Sequence, residues 1–150
     1  MTEGTPHRLV NPDSLPRPLG FSHAVVASSG RAVYLGGQAG HRRDGSIADG
    51  LVEQFDQACA NVVTALAASA ARPDHLVSVH IFVTDATAYR SSLVPLGTAW
   101  RSHFGKHYPA TSLFEVSGLF DPRALVELVG VAIVPEGPGE RMVTGLPDEA

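Results

Sequence analysis

The sequence predicts an α+β sandwich of element order ββαβαββ, with two helices on one face of a mixed sheet. Two observations carry that reading. Leu51, Phe55, Ala58, Val62 and Leu66 recur at steps of three and four with polar residues between them, the period of a helix apolar on one side only. HLVSVHIFVT (75–84) and ALVELVGVAIV (124–134) are instead β-prone runs, apolar on both faces. A one-sided helix needs a sheet to pack on, which is the layering of an α+β domain.

The elements follow in order. Residues 1–20 carry Pro6, Pro12, Pro16 and Pro18 and read as an extended lead-in. Phe21 to Ala27 and Arg31 to Leu35 are β-prone runs split by Ser28-Ser29-Gly30, which reads as a hairpin. Gly36-Gly37-Gln38 is expected as a strand-end turn, and Asp44-Gly45 as another turn. Asp49 is the expected N-cap of the first helix, and Arg72-Pro73 ends its pattern. In the strand at 75–84, Val77, Val79, Ile81 and Val83 share one face; Leu76, Ser78, His80, Phe82 and Thr84 share the other. A second helix is expected between Ala86 and Phe104, Trp100 on its buried side, with a break or late start at Pro95 and Gly97. Strands at 111–117 and 125–134 complete a single domain over 21–134, and 135–150 read as a flexible tail.

Composition narrows the function classes. With 150 residues, 44% hydrophobic and 17% charged, the chain is expected to be one soluble globular domain. A net charge of −4, with Arg42-Arg43 the only basic doublet, argues against a nucleic-acid partner. The single cysteine, Cys59, excludes an intramolecular disulfide and suits a reducing compartment. No apolar run reaches the length of a membrane span, and MTEGTPHRLVNP lacks the apolar core of a signal peptide, so a cytoplasmic location is expected.

The last strand poses a burial problem. It is apolar on both faces, and two helices cover only one face of a sheet. The other face is expected to be buried by further copies of the chain in a closed homo-oligomer, because an exposed apolar sheet aggregates.

Glu127 heads the candidates for chemistry. Strand alternation places it with Leu125, Val129, Val131 and Ile133, where a carboxylate loses hydration. Two readings stand side by side: a wetted strand-end residue, or a carboxylate facing a cleft. Among seven histidines, His103 and His107 have helical ligand spacing, but Gly105 weakens the helix between them, and no carboxylate or cysteine stands at metal-site spacing. No metal and no cofactor are expected. His80 reads as a hydrogen-bonded sheet histidine, His23 as a pocket or surface residue, and Cys59 as a small core residue. Gly36-Gly37-Gln38 shares a tripeptide with peptide-release factors, which three residues cannot establish.

NPDSLPRPLGFSHAVVA, VYLGGQAG, EQFDQACANVV, VSVHIFVTD, HFGKHYPATS and LVELVGVA, in that order and spacing, resemble the YjgF/RidA (Rid) family over roughly residues 8–134. The resemblance implies a chorismate-mutase-like fold, a homotrimer whose sheets form an inner barrel, and clefts between subunits. In the best-known branch these hydrolyse reactive enamines and imines, such as 2-aminoacrylate, to keto acids and ammonia. There an arginine after the Pro-Ala pair clamps the substrate carboxylate, a glutamate on the last strand handles the water, and an aromatic on the first strand closes the site.

Carried over by position, Glu127 falls on the position of that glutamate, and the resemblance implies a catalytic role for it. Phe21 stands where a tyrosine is usual and Gly36 where a serine is common. The helix asparagine has only Leu93 or Gly97 to match it. Thr111 stands on the arginine position, and the backbone N–H groups of Ser112 and Leu113, which follow, are the expected remaining donors to the cleft. A hydroxyl does not replace the paired, charge-assisted bonds of a guanidinium. The expected function is thus a Rid-like hydrolase with a small-molecule cleft, acting on an imine, enamine or related reactive metabolite other than the usual amino-acid-derived imines, and neutral or less acidic. A non-catalytic metabolite-binding or regulatory trimer is the alternative. A ribonuclease or translation inhibitor ranks third, for want of a basic patch.

Overall fold

The apolar run at 124–134 becomes the spine of the sheet. In the computed structural model, which describes residues 4–137, it forms β7 (Val126–Pro135) and pairs with three other strands. Along the chain the elements are β1 (Arg8–Val10), β2 (Ala24–Val26), β3 (Gly30–Tyr34), β4 (Gln38–Ala39), α1 (Leu51–Ala68), a 3-10 turn (Pro73–His75), β5 (Leu76–Val83), α2 (Ala86–Ser91), α3 (Leu93–Phe104), β6 (Ala110–Glu115) and β7. The main sheet runs β3-β7-β5-β6, with β4 also on β7. β5 and β6 are parallel and the other pairings antiparallel, so the sheet is mixed, and α1 and α3 pack together over it.

The core lies between helices and sheet. Phe55, Ala58, Cys59, Val62 and Leu66 from α1 meet Val79, Ile81, Val83, Val126, Leu128 and Ala132 from the sheet, all buried. Each large apolar side chain there contributes roughly 1.5–3 kcal/mol through loss of water contact. Burial also pushes the Cys59 thiol well up from its ordinary range, so it is a core residue as expected. Trp100 is buried on α3, stacks edge-on against Phe104 at 4.6 Å, and donates Nε1–H to the His107 carbonyl at 3.0 Å. The second helix breaks at Ser92 into α2 and α3, with Pro95 in the first turn of α3, where a missing N–H costs nothing.

Four local expectations give way. β2 and β3 do not form a hairpin: β2 pairs with β1, drawn from the lead-in, and β3 pairs with β7. Long-range partners outcompeted the local turn. Asp49 does not cap α1; Gly50 takes that position at φ 85°, and no side chain caps it. On β5 the alternation slips between Leu76 and Ser78, so Leu76 is fully buried and Val77 is only half-buried. His80 makes ring contacts with Phe82 and Phe114 rather than a hydrogen bond. Residues 138–150 of the expected tail lie outside the described residues.

The other face of the sheet carries no helix. Ser78, His80 and Phe82 of β5, Ser112 and Phe114 of β6, and Glu127, Val129, Val131 and Ile133 of β7 share it by register. Phe82 and Phe114 stack at 5.6 Å there, and Phe114 is 45% exposed and Tyr34 79%. Among the described residues, nothing covers this aromatic and aliphatic surface.

Candidate functional site

Two clefts flank the sheet on opposite sides. The first, about 840 Å³, opens between α3, the outer strand β6 and the N-terminal segment. Buried Ser22 builds one wall: its N–H donates to the Pro109 carbonyl at 3.1 Å and its hydroxyl to the Tyr108 carbonyl at 2.6 Å. These bonds hold Phe21 beside the start of β6. His23 staples the segment down, its N–H donating to Asn11 Oδ1 at 2.8 Å and its ring bonding the Pro16 carbonyl at 2.7 Å. His23 is therefore an anchor and not a lining residue.

Phe21, Tyr89, Trp100, Tyr108, Leu93, Leu96, Gly97, Thr111 and Leu113 line this cleft, with Arg17 and Arg101 the charged lining residues. Burial pushes the Tyr89 hydroxyl up to about 12, so it stays neutral. The Thr111 hydroxyl donates to the Pro109 carbonyl at 2.9 Å and has no second proton to offer an anion. Ser112 faces the opposite side of the strand beside His80, outside this cleft. Strand alternation turns the Leu113 N–H toward the outer edge of β6, since Val116 donates inward to Val83.

The second cleft, about 750 Å³, is lined by Gly37, Ala39, His41, Phe120, Asp121, Pro122, Ala124 and Glu127. Glu127 is half-buried, and its carboxylate has no hydrogen-bond or ion-pair partner among the described residues. Its Oε1 lies against Gly37, where a β-carbon would collide with it. At Gly36, the expected lining residue, a β-carbon would meet only open space, so the close approach to Glu127 belongs to its neighbour.

Two amides from α1, buried Gln54 and half-buried Asn61, set this wall. Asn61 donates Nδ2–H to the carbonyls of Ala39 at 3.0 Å and His41 at 2.8 Å. Gln54 donates to the Arg123 carbonyl at 3.0 Å and accepts from the Leu125 N–H at 2.7 Å. Beside them Asp121 takes a bidentate bond from Arg123 and one from His41 at 2.8 Å. The Arg123 guanidinium first, and His41 second, hold the Asp121 carboxyl well below the usual carboxylate range.

One chain thus brings Phe21, Thr111 and Leu113 together and holds Glu127 apart, on the other side of the sheet. Gly37, Gln54, Asn61, Arg17 and Arg101 were not singled out from sequence. Only Gly37 carried a signal, as a glycine abutting a strand. The histidines disperse: His103 bonds Asp56 at 2.8 Å, whereas His107 bonds the Leu76 carbonyl at 2.8 Å. No cluster of three metal-ligating side chains occurs among the described residues, and no helix there is long and apolar enough to cross a membrane.

Comparison with known proteins gives this geometry a setting. A 2-iminobutanoate/2-iminopropanoate deaminase of Dermatophagoides farinae is 26% identical over 133 residues, spanning 87% of this chain and 98% of that protein. The crystal structure of YyfB from Yersinia pestis, a protein of unknown function in the conserved Rid family, aligns with TM-score 0.77 at 28% identity, over 85% of this chain and 98% of that one. Rv2704 of Mycobacterium tuberculosis, of the YjgF/YER057c/UK114 family, aligns with TM-score 0.59 at 28% identity, over 85% and 99%. The family model described as endoribonuclease L-PSP matches residues 14–134, and the chain belongs to that family, the Rid or YjgF family of its structural neighbours.

Proposed function

We propose that this protein is a homotrimeric hydrolase of imines or enamines, with Glu127 as general base. The observation that carries the reading is Glu127 itself: a half-buried carboxylate in an apolar strand, without a partner among the described residues, lining a cleft. A carboxylate so placed has free lone pairs within reach of a water in the cleft. Water gives a proton to Glu127 as its oxygen attacks the imine carbon. Glu127 passes that proton to nitrogen, giving the tetrahedral carbinolamine; it then takes the carbinolamine hydroxyl proton and delivers it to nitrogen as the C–N bond breaks, so ammonia leaves and a carbonyl remains.

The opposed clefts support the oligomer. The helix-free face needs cover, and pairing it with another copy allows the Phe21–Thr111 wall of one subunit to meet the Glu127 wall of the next. Thr111 disfavours small amino-acid-derived imines, because its hydroxyl proton is already committed to Pro109. The net charge of −4 disfavours RNA.

Glu127→Gln and Gly37→Ala test this with a panel of imines and ammonia release as the readout. Glu127→Gln removes the base and is expected to abolish hydrolysis while unfolding stays cooperative. Gly37→Ala pushes the flexible end of Glu127 aside, so activity falls with little change in melting temperature. Retained hydrolysis in Glu127→Gln excludes the general-base role. No hydrolysis of any imine by the wild type would leave a binding module instead.

A further inference from the structure

The cleft beside Thr111 carries two guanidinium groups on other elements, Arg101 on α3 and Arg17 on the N-terminal segment. Gly97 sits in the interior of α3, where glycine costs a helix about 1 kcal/mol relative to alanine. Its missing side chain is put to use: the guanidinium of Arg101, one turn on, folds back over it, with Nη1 about 3.1 Å from where a β-carbon would stand. That places a positive charge on the cleft wall that also holds Trp100 and Thr111. Arg17 lines the same cleft from the N-terminal segment that His23 and Asn11 pin in place.

Neither guanidinium has a hydrogen-bond or ion-pair partner among the described residues, and no acidic residue of the same chain lines this cleft. Two exposed arginines elsewhere on a surface would mean little. Here they face a concave space walled by Phe21, Trp100 and Tyr108, with an anion as the missing counter-charge. A volume of about 840 Å³ is large for a three-carbon acid and falls in the range of sites for ring-sized ligands.

We propose that Arg101, assisted by Arg17, is the anion clamp of this cleft, and that its ligand is a monocarboxylate with a bulky apolar side chain, such as a branched or aryl 2-imino acid. The apolar body packs on the aromatic wall while the carboxylate reaches the guanidinium. For the reactive imine this rests on the hydrolase reading above; the recognition of the anion does not. Specificity then shifts from small acids, held at the strand position, to larger ones, held from the helix.

The test reads binding rather than turnover. Trp100 is the only tryptophan of the chain and lines the cleft, so its fluorescence reports occupancy. The full chain is titrated with 4-methyl-2-oxopentanoate, its methyl ester, pyruvate and inorganic phosphate, with calorimetry as a second measure. The bulky oxo acid is expected to bind at least about tenfold more tightly than the ester, pyruvate or phosphate, the scale of one charge-assisted contact. Arg101→Gln is expected to erase the advantage of acid over ester, and Arg17→Gln to reduce it. Gly97→Ala is expected to raise the melting temperature yet weaken acid binding, a combination a merely structural role would not produce.

Equal binding of acid and ester, or unchanged acid binding in Arg101→Gln, overturns the clamp. Phosphate or pyruvate binding as tightly as the bulky acid overturns the ligand class. A lower oligomer mass for Arg101→Gln in light scattering assigns that arginine to a subunit interface and overturns the proposal equally. Glu127→Gln that still binds the acid but hydrolyses nothing keeps the clamp, and if the wild type is also inactive, only the hydrolase reading fails.

Discussion

Replacing Gln54 by leucine removes the two bonds that hold the entrance of β7. Gln54 is only 3% exposed, and its amide spans from α1 to the Arg123 carbonyl at 3.0 Å and the Leu125 N–H at 2.7 Å. Leucine fills a similar volume, so no large cavity opens. Two net hydrogen bonds at about 1 kcal/mol each are lost, and the half-buried Leu125 N–H is left unsatisfied for roughly 1–2 kcal/mol more. Arg123 is exposed, so water can satisfy its carbonyl and limits the loss. The expected destabilisation is about 2–4 kcal/mol, or a fall of roughly 5–15 °C in melting temperature for a chain this size. Urea unfolding at fixed protein concentration measures it, since oligomers shift apparent stability by mass action. Hydrogen exchange at the Leu125 amide should accelerate relative to the centre of β7. Because Glu127 lies two residues along, imine hydrolysis should fall as well. A loss below about 1 kcal/mol with unchanged exchange would refute the claim that Gln54 positions this strand.

Thr111→Arg is expected to raise kcat/KM for 2-iminopropanoate roughly a hundredfold, from about 3 kcal/mol of added carboxylate binding; a wild-type rate equal to that of an arginine-bearing relative would sink this. The unperturbed protein is expected to be a trimer in light scattering, and Phe82→Arg, which charges the helix-free face, to reduce its mass; a wild-type monomer at micromolar concentration contradicts the burial argument. Burial holds both His75 and His107 below the ordinary histidine value of 6.5. The unfolded chain therefore takes up protons first as pH falls through about 6.5, and stability should drop from there to the lower folded values and then level. A urea midpoint unchanged between pH of about 7.5 and about 5.5 would show that these rings do not stay neutral in the fold.

Periodic patterns proved readable because they follow from backbone geometry. The spacing of Phe55, Ala58, Val62 and Leu66 has one helical solution, and the structure buries that stripe. The double-sided apolarity of 124–134 marked a strand that needs cover on both faces, while its place as the spine of the sheet came from pairing alone. Pro95 pointed to a restart of the helix, and α3 begins two residues before it, but Gly97 lies inside α3 without breaking it. The hairpin at 21–35 failed because a turn signal shows that a chain can reverse, not which strand offers the better partner. Leu76 moved to the core because a bulge resets the alternation after it, and nothing in the local residues marks the slip.

The site divides in the same way. Glu127 stood out in sequence because a carboxylate breaks an apolar run, and Thr111 because a family resemblance names its position. Neither pattern contains direction in space. Tertiary structure alone decided that Thr111 and Glu127 lie on opposite sides of one sheet, since register and twist assign faces only when distant strands pair. It alone revealed Gly37 under Glu127 and the Arg101 guanidinium over Gly97. Such contacts join side chains through space, across a strand pair or a helix turn, and a linear sequence records residue types without recording which surfaces they share.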